Sequence, residues 1–276
     1  MISFPALIFS DLDGTLLDHY SYSAAAANDM LAWLHANQIP VILNTSKTYI
    51  EVADIAAELN TQAPIIVENG AAVYFPSALA SKFRLPNEQS SGDYIKVAFT
   101  QPHSHWLSVL ASVDPKFKPL FTSFTELGID GIIKHTGLSR DNAIKASQRE
   151  FGEPLAWHGN DTEKQAFLAQ LRALGAHPVE GGRFIHVCGN CSKGEALTWL
   201  SERYKHDIYN NKDVTTIALG DGNNDVSMLE VAHYAVRVRS PVHQPPTLER
   251  DDNTITTDAC GPEGWSDALT SLFSLN

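Results

Sequence analysis

The feature that most constrains this chain is a rhythm of short, uninterrupted apolar runs separated by segments of helical length. Ala6–Ser10, Val41–Asn44 and 64–67 are such runs. Between them, 23–37 reads as a helix capped by Ser23. The stretch 48–60 places Ile50, Val52, Ala53, Ile55, Ala56 and Leu59 at the spacing of one helical face. Runs of four or five apolar residues without polar alternation suit strands buried on both faces, and strands joined through single helices lie parallel. The rhythm resumes later, with Lys193–Arg203 helical, 215–219 a strand, 224–231 helical and 234–238 a strand. The expected fold class is α/β, a doubly wound parallel-sheet core with helices on both faces.

Between these halves the pattern changes. Residues 94–99 alternate like a half-exposed strand, and 103–113 and 139–151 read as helices. A further helix, 161–174, has Asp161 as its cap and Gly175 as its stop, and Gly181-Gly182 reads as a hairpin turn. Longer helices mixed with antiparallel strands predict an inserted α+β domain over 85–187, a cap on a core built from 1–84 and 188–276.

With a net charge of -12, the surface repels nucleic acid and anionic membranes, so neither is expected as a partner. An anionic substrate meets the same repulsion and needs a metal ion or a local group of Lys and Arg. The apolar start, 1–10, has no preceding basic residue and is too short for a span or a signal core. It reads as a strand, and the expected compartment is the cytoplasm. Three cysteines make no disulfide framework. Cys188 and Cys191 are spaced C-x-x-C, but no second such pair follows, and buried thiols are the default expectation.

The chemistry concentrates at two strand ends. Asp11-Leu12-Asp13-Gly14-Thr15 follows the first apolar run, and Gly220-Asp221-Gly222-Asn223-Asn224-Asp225 follows the run 215–219. Ligands of open α/β sheets bind at the carboxyl ends of strands. Carboxylates gathered there repel one another and call for a cation, and hard oxygen donors with room for phosphate suit Mg²⁺ better than zinc. Neither cluster is a calcium loop: where that loop needs Gly and Glu, this sequence has Val226 and Ala232 after Asp221, and Leu16 and Tyr22 after Asp11. Thr45 follows the second strand, where its hydroxyl and backbone N–H are candidates for a phosphate oxygen. Lys193 opens a helix just after Phe184–Val187 and is a candidate to neutralise a phosphoryl group.

In this order the motifs Asp11-x-Asp13-Gly14-Thr15, Thr45, Lys193 and Gly220-Asp221-Gly222-x-Asn224-Asp225 resemble those of the haloacid dehalogenase-like phosphatases. The resemblance implies that Asp11 is the nucleophile and Asp13 the general acid/base. It implies Mg²⁺ on the Asp11 side chain, the Asp13 backbone carbonyl and Asp221, with Asp225 supporting the metal's surroundings. Thr45, Lys193 and Asn224 would hold phosphoryl oxygens. Closer similarity is to the mannosyl-3-phosphoglycerate phosphatases, in 44–48, Glu68-Asn69-Gly70, 136–154, Gly181-Gly182-Arg183-Phe184-x-His186 and 261–265. It implies a small phosphorylated sugar or glycerate as substrate, with Lys47, Arg149 and Arg183 as its anchors and cap motion about residues 84 and 188. The histidines, His186 included, are left as structural. A glucosyl-3-phosphoglycerate or other sugar phosphate remains an alternative substrate, and a sugar phosphomutase or a non-catalytic regulator an alternative activity.

Overall fold

The computed structural model describes residues 2–181 and 184–275. In chain order the strands are β1 (Ala6–Ser10), β2 (Val41–Asn44), β3 (Ile65–Val67), β4 (Ala72–Pro76), β5 (Gln89–Ser91), β6 (Tyr94–Ala98), β7 (Phe121–Ser123), β8 (Glu153–Trp157), β9 (Val179–Gly181), β10 (Phe184–Val187), β11 (Thr215–Gly220), β12 (Tyr234–Arg239) and β13 (Thr254–Cys260). The helices are α1 (Asn28–Ala36), α2 (Tyr49–Glu58), α3 (Ser77–Ala80), α4 (His103–Ala111), α5 (Phe124–Thr136), α6 (Arg140–Ser147), α7 (Asp161–Ala173), α8 (Lys193–Arg203), α9 (Val226–Val231) and α10 (Gly261–Leu272).

Among the described residues, nine strands form one sheet in the order β13-β12-β11-β1-β2-β3-β4-β6-β5. Every pair from β13 to β3 is parallel. The strands β4, β6 and β5 extend the sheet antiparallel. Strand β1 explains the double winding residue by residue. Ala6 and Ile8 join one apolar layer with Leu34, Val52, Trp265 and Leu269. Leu7 and Phe9 point the opposite way, into a layer with Leu197, Leu200, Met228 and Leu229. All five β1 residues are buried, each large apolar one contributing about 1.5–3 kcal/mol of burial free energy. Buried on both faces, the strand has no solvent-facing position at which a polar residue would be favoured.

A second sheet, β7-β8-β10-β9, is antiparallel throughout. One face carries Leu155, Ile185 and Val187 against Trp106 and Leu110 of α4 and Phe167 and Leu171 of α7. Phe124, Ile132 and Ala143 pack α5 on α6 in a smaller cluster. This is the expected cap, with one boundary corrected. The sequence places 85–98 in the cap, but β6 hydrogen-bonds to β4 and β5 to β6, so both strands lengthen the core sheet. The chain leaves the core after β6 and returns between β10 and α8, so the first crossing lies near residue 99 rather than 84.

Local signals also needed correction. Asn160 caps α7, not Asp161, through a reciprocal box with Glu163. Ser23 caps no helix; its hydroxyl accepts from the Ala25 N–H ahead of a short 3₁₀ turn. The helix expected over 139–151 ends at Ser147. The Gly181-Gly182 turn lies partly outside the described residues, although Gly181 and Phe184 pair across it.

Candidate active site

Strand β1 delivers Asp11 at the carboxyl end of the sheet, where the Asp11 N–H donates to the Leu219 carbonyl of β11 (2.9 Å). Ser10 secures the exit: its hydroxyl donates to the Asp11 carbonyl at 2.7 Å and accepts from the buried Trp265 indole N–H at 3.0 Å. The loop then turns on Gly14, at φ +76°. A Cβ there would lie 2.6 Å from Asp221 Oδ2, so glycine lets the two acidic loops meet. Thr15 Oγ1 donates to Asp221 Oδ1 at 3.4 Å.

Lys193 joins the loops from α8, whose N-cap Ser192 accepts from the Glu195 N–H. Its ammonium, buried completely, lies 2.6 Å from Asp11 Oδ1 and 2.6 Å from Asp225 Oδ1. The other Asp225 oxygen accepts from the Gly222 N–H at 2.9 Å, so this carboxylate is committed on both sides. Asp11, Asp221 and Asp225 bring one oxygen each within 4.8 Å of one another.

Burial, followed by the neighbouring charge of Asp225, pushes the Asp11 carboxyl up to about 7 despite Lys193. Burial and then Asp11 push Asp221 up to about 6. Burial also raises Asp225, although Lys193 draws it back. For Lys193, burial alone would lower the ammonium's pKa; Asp11 and Asp225 outweigh it and hold the proton on. Carboxylates held at such cost in one small space form a site fit for a divalent cation, and an all-oxygen donor set suits Mg²⁺.

The remaining expected residues divide. Lys47 Nζ sits 2.9 Å from Asp13 Oδ2, so its charge rests on the second aspartate. Thr45 spends its backbone N–H on the Ile66 carbonyl (3.1 Å), which withdraws that donor from a phosphate. Its hydroxyl oxygen accepts from the Lys47 N–H at 3.2 Å, leaving the hydroxyl proton to donate. Asn224 donates to Asn69 Oδ1 at 3.4 Å. Arg149 reaches Glu68 (3.3 Å) and the Ser46 carbonyl (3.0 Å). Arg183 lies outside the described residues.

Above these groups a cavity of about 910 Å³ opens between core and cap, with Asp11, Asp13, Lys47 and Asn224 on its floor and Phe184 and His186 on its roof. That volume holds a small organic phosphate ester with room for solvent. His186 belongs to this cavity rather than to the core. Burial, then the nearby Arg149 charge, pulls its imidazole down to about 3 and keeps it neutral. Sequence reasoning also missed His243, whose Nε2 lies 3.2 Å from Asp221 Oδ2. Its position just beyond β12, at the carboxyl edge of the parallel sheet, was the available signal. Cys188 and Cys191 are buried free thiols, and Cys188 Sγ donates to the His177 carbonyl at 3.2 Å. No helix among the described residues is long and apolar enough to cross a membrane.

Comparison with known proteins is consistent with this geometry. A family profile described as haloacid dehalogenase-like hydrolase matches residues 8–126 and 184–243. A curated relative from Methanococcoides burtonii, named glucosyl-3-phosphoglycerate/mannosyl-3-phosphoglycerate phosphatase, is 33% identical over 275 residues, 98% of each chain. Among solved structures, a member of the haloalkanoate superfamily of phosphatases from Bacteroides thetaiotaomicron superposes with a TM-score of 0.67 at 16% identity, covering 100% of this chain and 99% of the other. Sucrose-phosphatase from Synechocystis, solved with sucrose and phosphate, gives 0.60 at 11% identity over 98% and 99% of the two chains.

Proposed function

Because this chain belongs to the haloacid dehalogenase-like hydrolases, we propose that it dephosphorylates a glycosyl phosphoglycerate, mannosyl-3-phosphoglycerate or its glucosyl counterpart, with Asp11 as nucleophile. At the coarser level it is a phosphoric monoester hydrolase of the sugar-phosphatase kind. The observation that carries the finer reading is the convergence of Asp11, Asp13 and Lys193 beneath a cap-covered cavity. The full-length relative supports the choice of substrate.

Asp11 attacks phosphorus through one carboxylate oxygen, and the bond from phosphorus to the ester oxygen breaks. Asp13 gives its proton to the departing sugar or glycerate oxygen. It then takes a proton from the water that attacks the aspartyl phosphate, releasing inorganic phosphate and free Asp11. Lys193 keeps its proton throughout, stabilises the Asp11 carboxylate and faces the transferred phosphoryl oxygens. Thr45, through its hydroxyl, and Asn224 are the proposed neutral donors to those oxygens. Mg²⁺ would be held by Asp11, the Asp13 carbonyl and Asp221 with Asp225 behind them, and would supply positive charge that favours the ionised nucleophile. Lys47 and Arg183 are proposed to draw in the anionic substrate, offsetting the repulsion of a chain with net charge -12.

The test is phosphate release, with Mg²⁺ present, across mannosyl- and glucosyl-3-phosphoglycerate, sucrose phosphate, hexose phosphates and an aryl phosphate. Highest kcat/KM on the glycosyl phosphoglycerates is expected. A preference for hexose phosphates would overturn the substrate, and isomerised sugar phosphate without free phosphate would indicate a mutase.

A further inference from the structure

Glu68, Asn69 and Gly70 follow β3 in three successive left-handed conformations, with φ of +48°, +60° and +92°. Asn and Gly tolerate that region; a Glu is held there only by its surroundings. The Glu68 N–H donates to the Lys47 carbonyl and the Asn69 N–H to the Thr45 carbonyl, each at 2.9 Å, so the turn grips the loop 45–47. The buried Glu68 carboxylate reaches the other way, into the base of the cap. It accepts from the backbone N–H of Glu150 at 2.7 Å and of Phe151 at 3.3 Å, and lies 3.3 Å from Arg149 Nε. Arg149 closes the circuit, its Nη2 donating to the Ser46 carbonyl at 3.0 Å.

We infer that Glu68 and Arg149 are positioning residues that lock the base of the cap to the loop 45–47 and, through Lys47, hold Asp13 in place for proton transfer. The inference rests on the phosphatase reading of the same site. It reassigns Arg149, which sequence reasoning made a substrate anchor. Where it borders the cavity, its Nη2 is spent on the Ser46 carbonyl, its Nε lies at ion-pair distance from Glu68 without a hydrogen bond, and only 7% of its side chain is exposed. Burying such a pair is weak support for stability, because desolvation consumes most of the attraction. A pair spanning two parts of the fold does fix their relative geometry. The cap keeps other attachments when this one is lost: Thr48 Oγ1 donates to the Lys145 carbonyl at 3.1 Å, and Lys145 pairs with Asp54. Removing Arg149 therefore shifts the loop 45–47 without releasing the cap. The element displaced carries Lys47, 2.9 Å from Asp13.

The experiment compares Arg149→Ala, Arg149→Lys and Glu68→Gln with the unsubstituted protein on p-nitrophenyl phosphate and on mannosyl-3-phosphoglycerate. Assays run well below each melting temperature, with active folded protein counted by near-ultraviolet circular dichroism. A misplaced Asp13 lowers kcat by about 10²-fold on mannosyl-3-phosphoglycerate and by less on p-nitrophenyl phosphate, whose nitrophenolate leaves without a proton, with KM moving by no more than about threefold on either. Added guanidinium ion should restore part of the Arg149→Ala loss. Arg149→Lys should stay impaired, since one ammonium cannot reach both Glu68 and Ser46. A loss confined to KM for the carboxylate-bearing ester would make Arg149 a substrate ligand and overturn the inference. Unchanged kcat per folded molecule would reduce the pair to a stabilising contact and overturn it equally. An unsubstituted protein that releases phosphate from neither ester would instead refute the phosphatase reading beneath it.

Discussion

Replacing Asp11 by Asn should abolish turnover and yet stabilise the metal-free protein. Four carboxylates, Asp11, Asp13, Asp221 and Asp225, face the ammonium groups of Lys47 and Lys193. A carboxyl held near 7 instead of its ordinary 3.8 carries its charge at a cost of roughly 4 kcal/mol relative to the unfolded chain. The amide removes that cost, and Lys193 keeps Asp225 as a partner at 2.6 Å. Because the value near 7 already includes the Lys193 attraction, the roughly 4 kcal/mol is the most the neutral amide recovers at pH 8, or ~8–16 °C in melting temperature. The sign with pH follows from the raised value. Below 3.8 both folded and unfolded chains hold the Asp11 proton and the variant gains least. As pH rises from there through about 7, the wild type loses this contribution and the variant does not. The assay is thermal unfolding of both proteins in chelator from pH 4 to pH 8, paired with phosphate release. A variant that melts below wild type at pH 8, or one that turns over substrate, would refute the reasoning.

Lys193→Met leaves Asp11 and Asp225 without their shared partner; it should cost roughly 3–5 kcal/mol by denaturant unfolding and at least about 10²-fold in kcat. Chelation should stop phosphate release and Mg²⁺ restore it, while Ca²⁺, with its looser shell, should inhibit; full activity in excess chelator would rule the metal out. Gly70→Ala would place a Cβ 2.1 Å from the Ser192 carbonyl oxygen at φ +92°, displacing the start of α8 and Lys193 with it. Gly137→Ala, also left-handed at φ +79° but with open space around it, should cost only about 1 kcal/mol, so equal melting temperatures for the two would contradict this account. Arg183→Ala should weaken binding of carboxylate-bearing esters by about 2–4 kcal/mol and leave an aryl phosphate nearly unaffected, as read from KM on both.

The parallel core was legible in the sequence because its cause is local: a strand such as β1, buried on both faces, runs apolar from Ala6 to Phe9, and its one polar residue, Ser10, is hydrogen-bonded at the strand's exit. The acidic clusters were legible for the same reason, each being a contiguous run at a strand end. The antiparallel extension was not. Nothing local in 94–98 says that its backbone partner is β4 rather than a cap strand, because that choice is made by tertiary packing. The early end of α6 has the same origin. Residues 148–151 could continue the helix on propensity, but Glu68, more than eighty positions earlier, claims the N–H groups of Glu150 and Phe151. A helix continuing through them would need those N–H groups for its own carbonyls. Arg149 illustrates the general difficulty. A cation expected beside an anionic substrate and a cation paired with a buried carboxylate present the same letter in the sequence. The fold adds what the letter lacks: Arg149 lies 3.3 Å from Glu68 and also borders the cavity, and kinetics on the two esters decides between the roles.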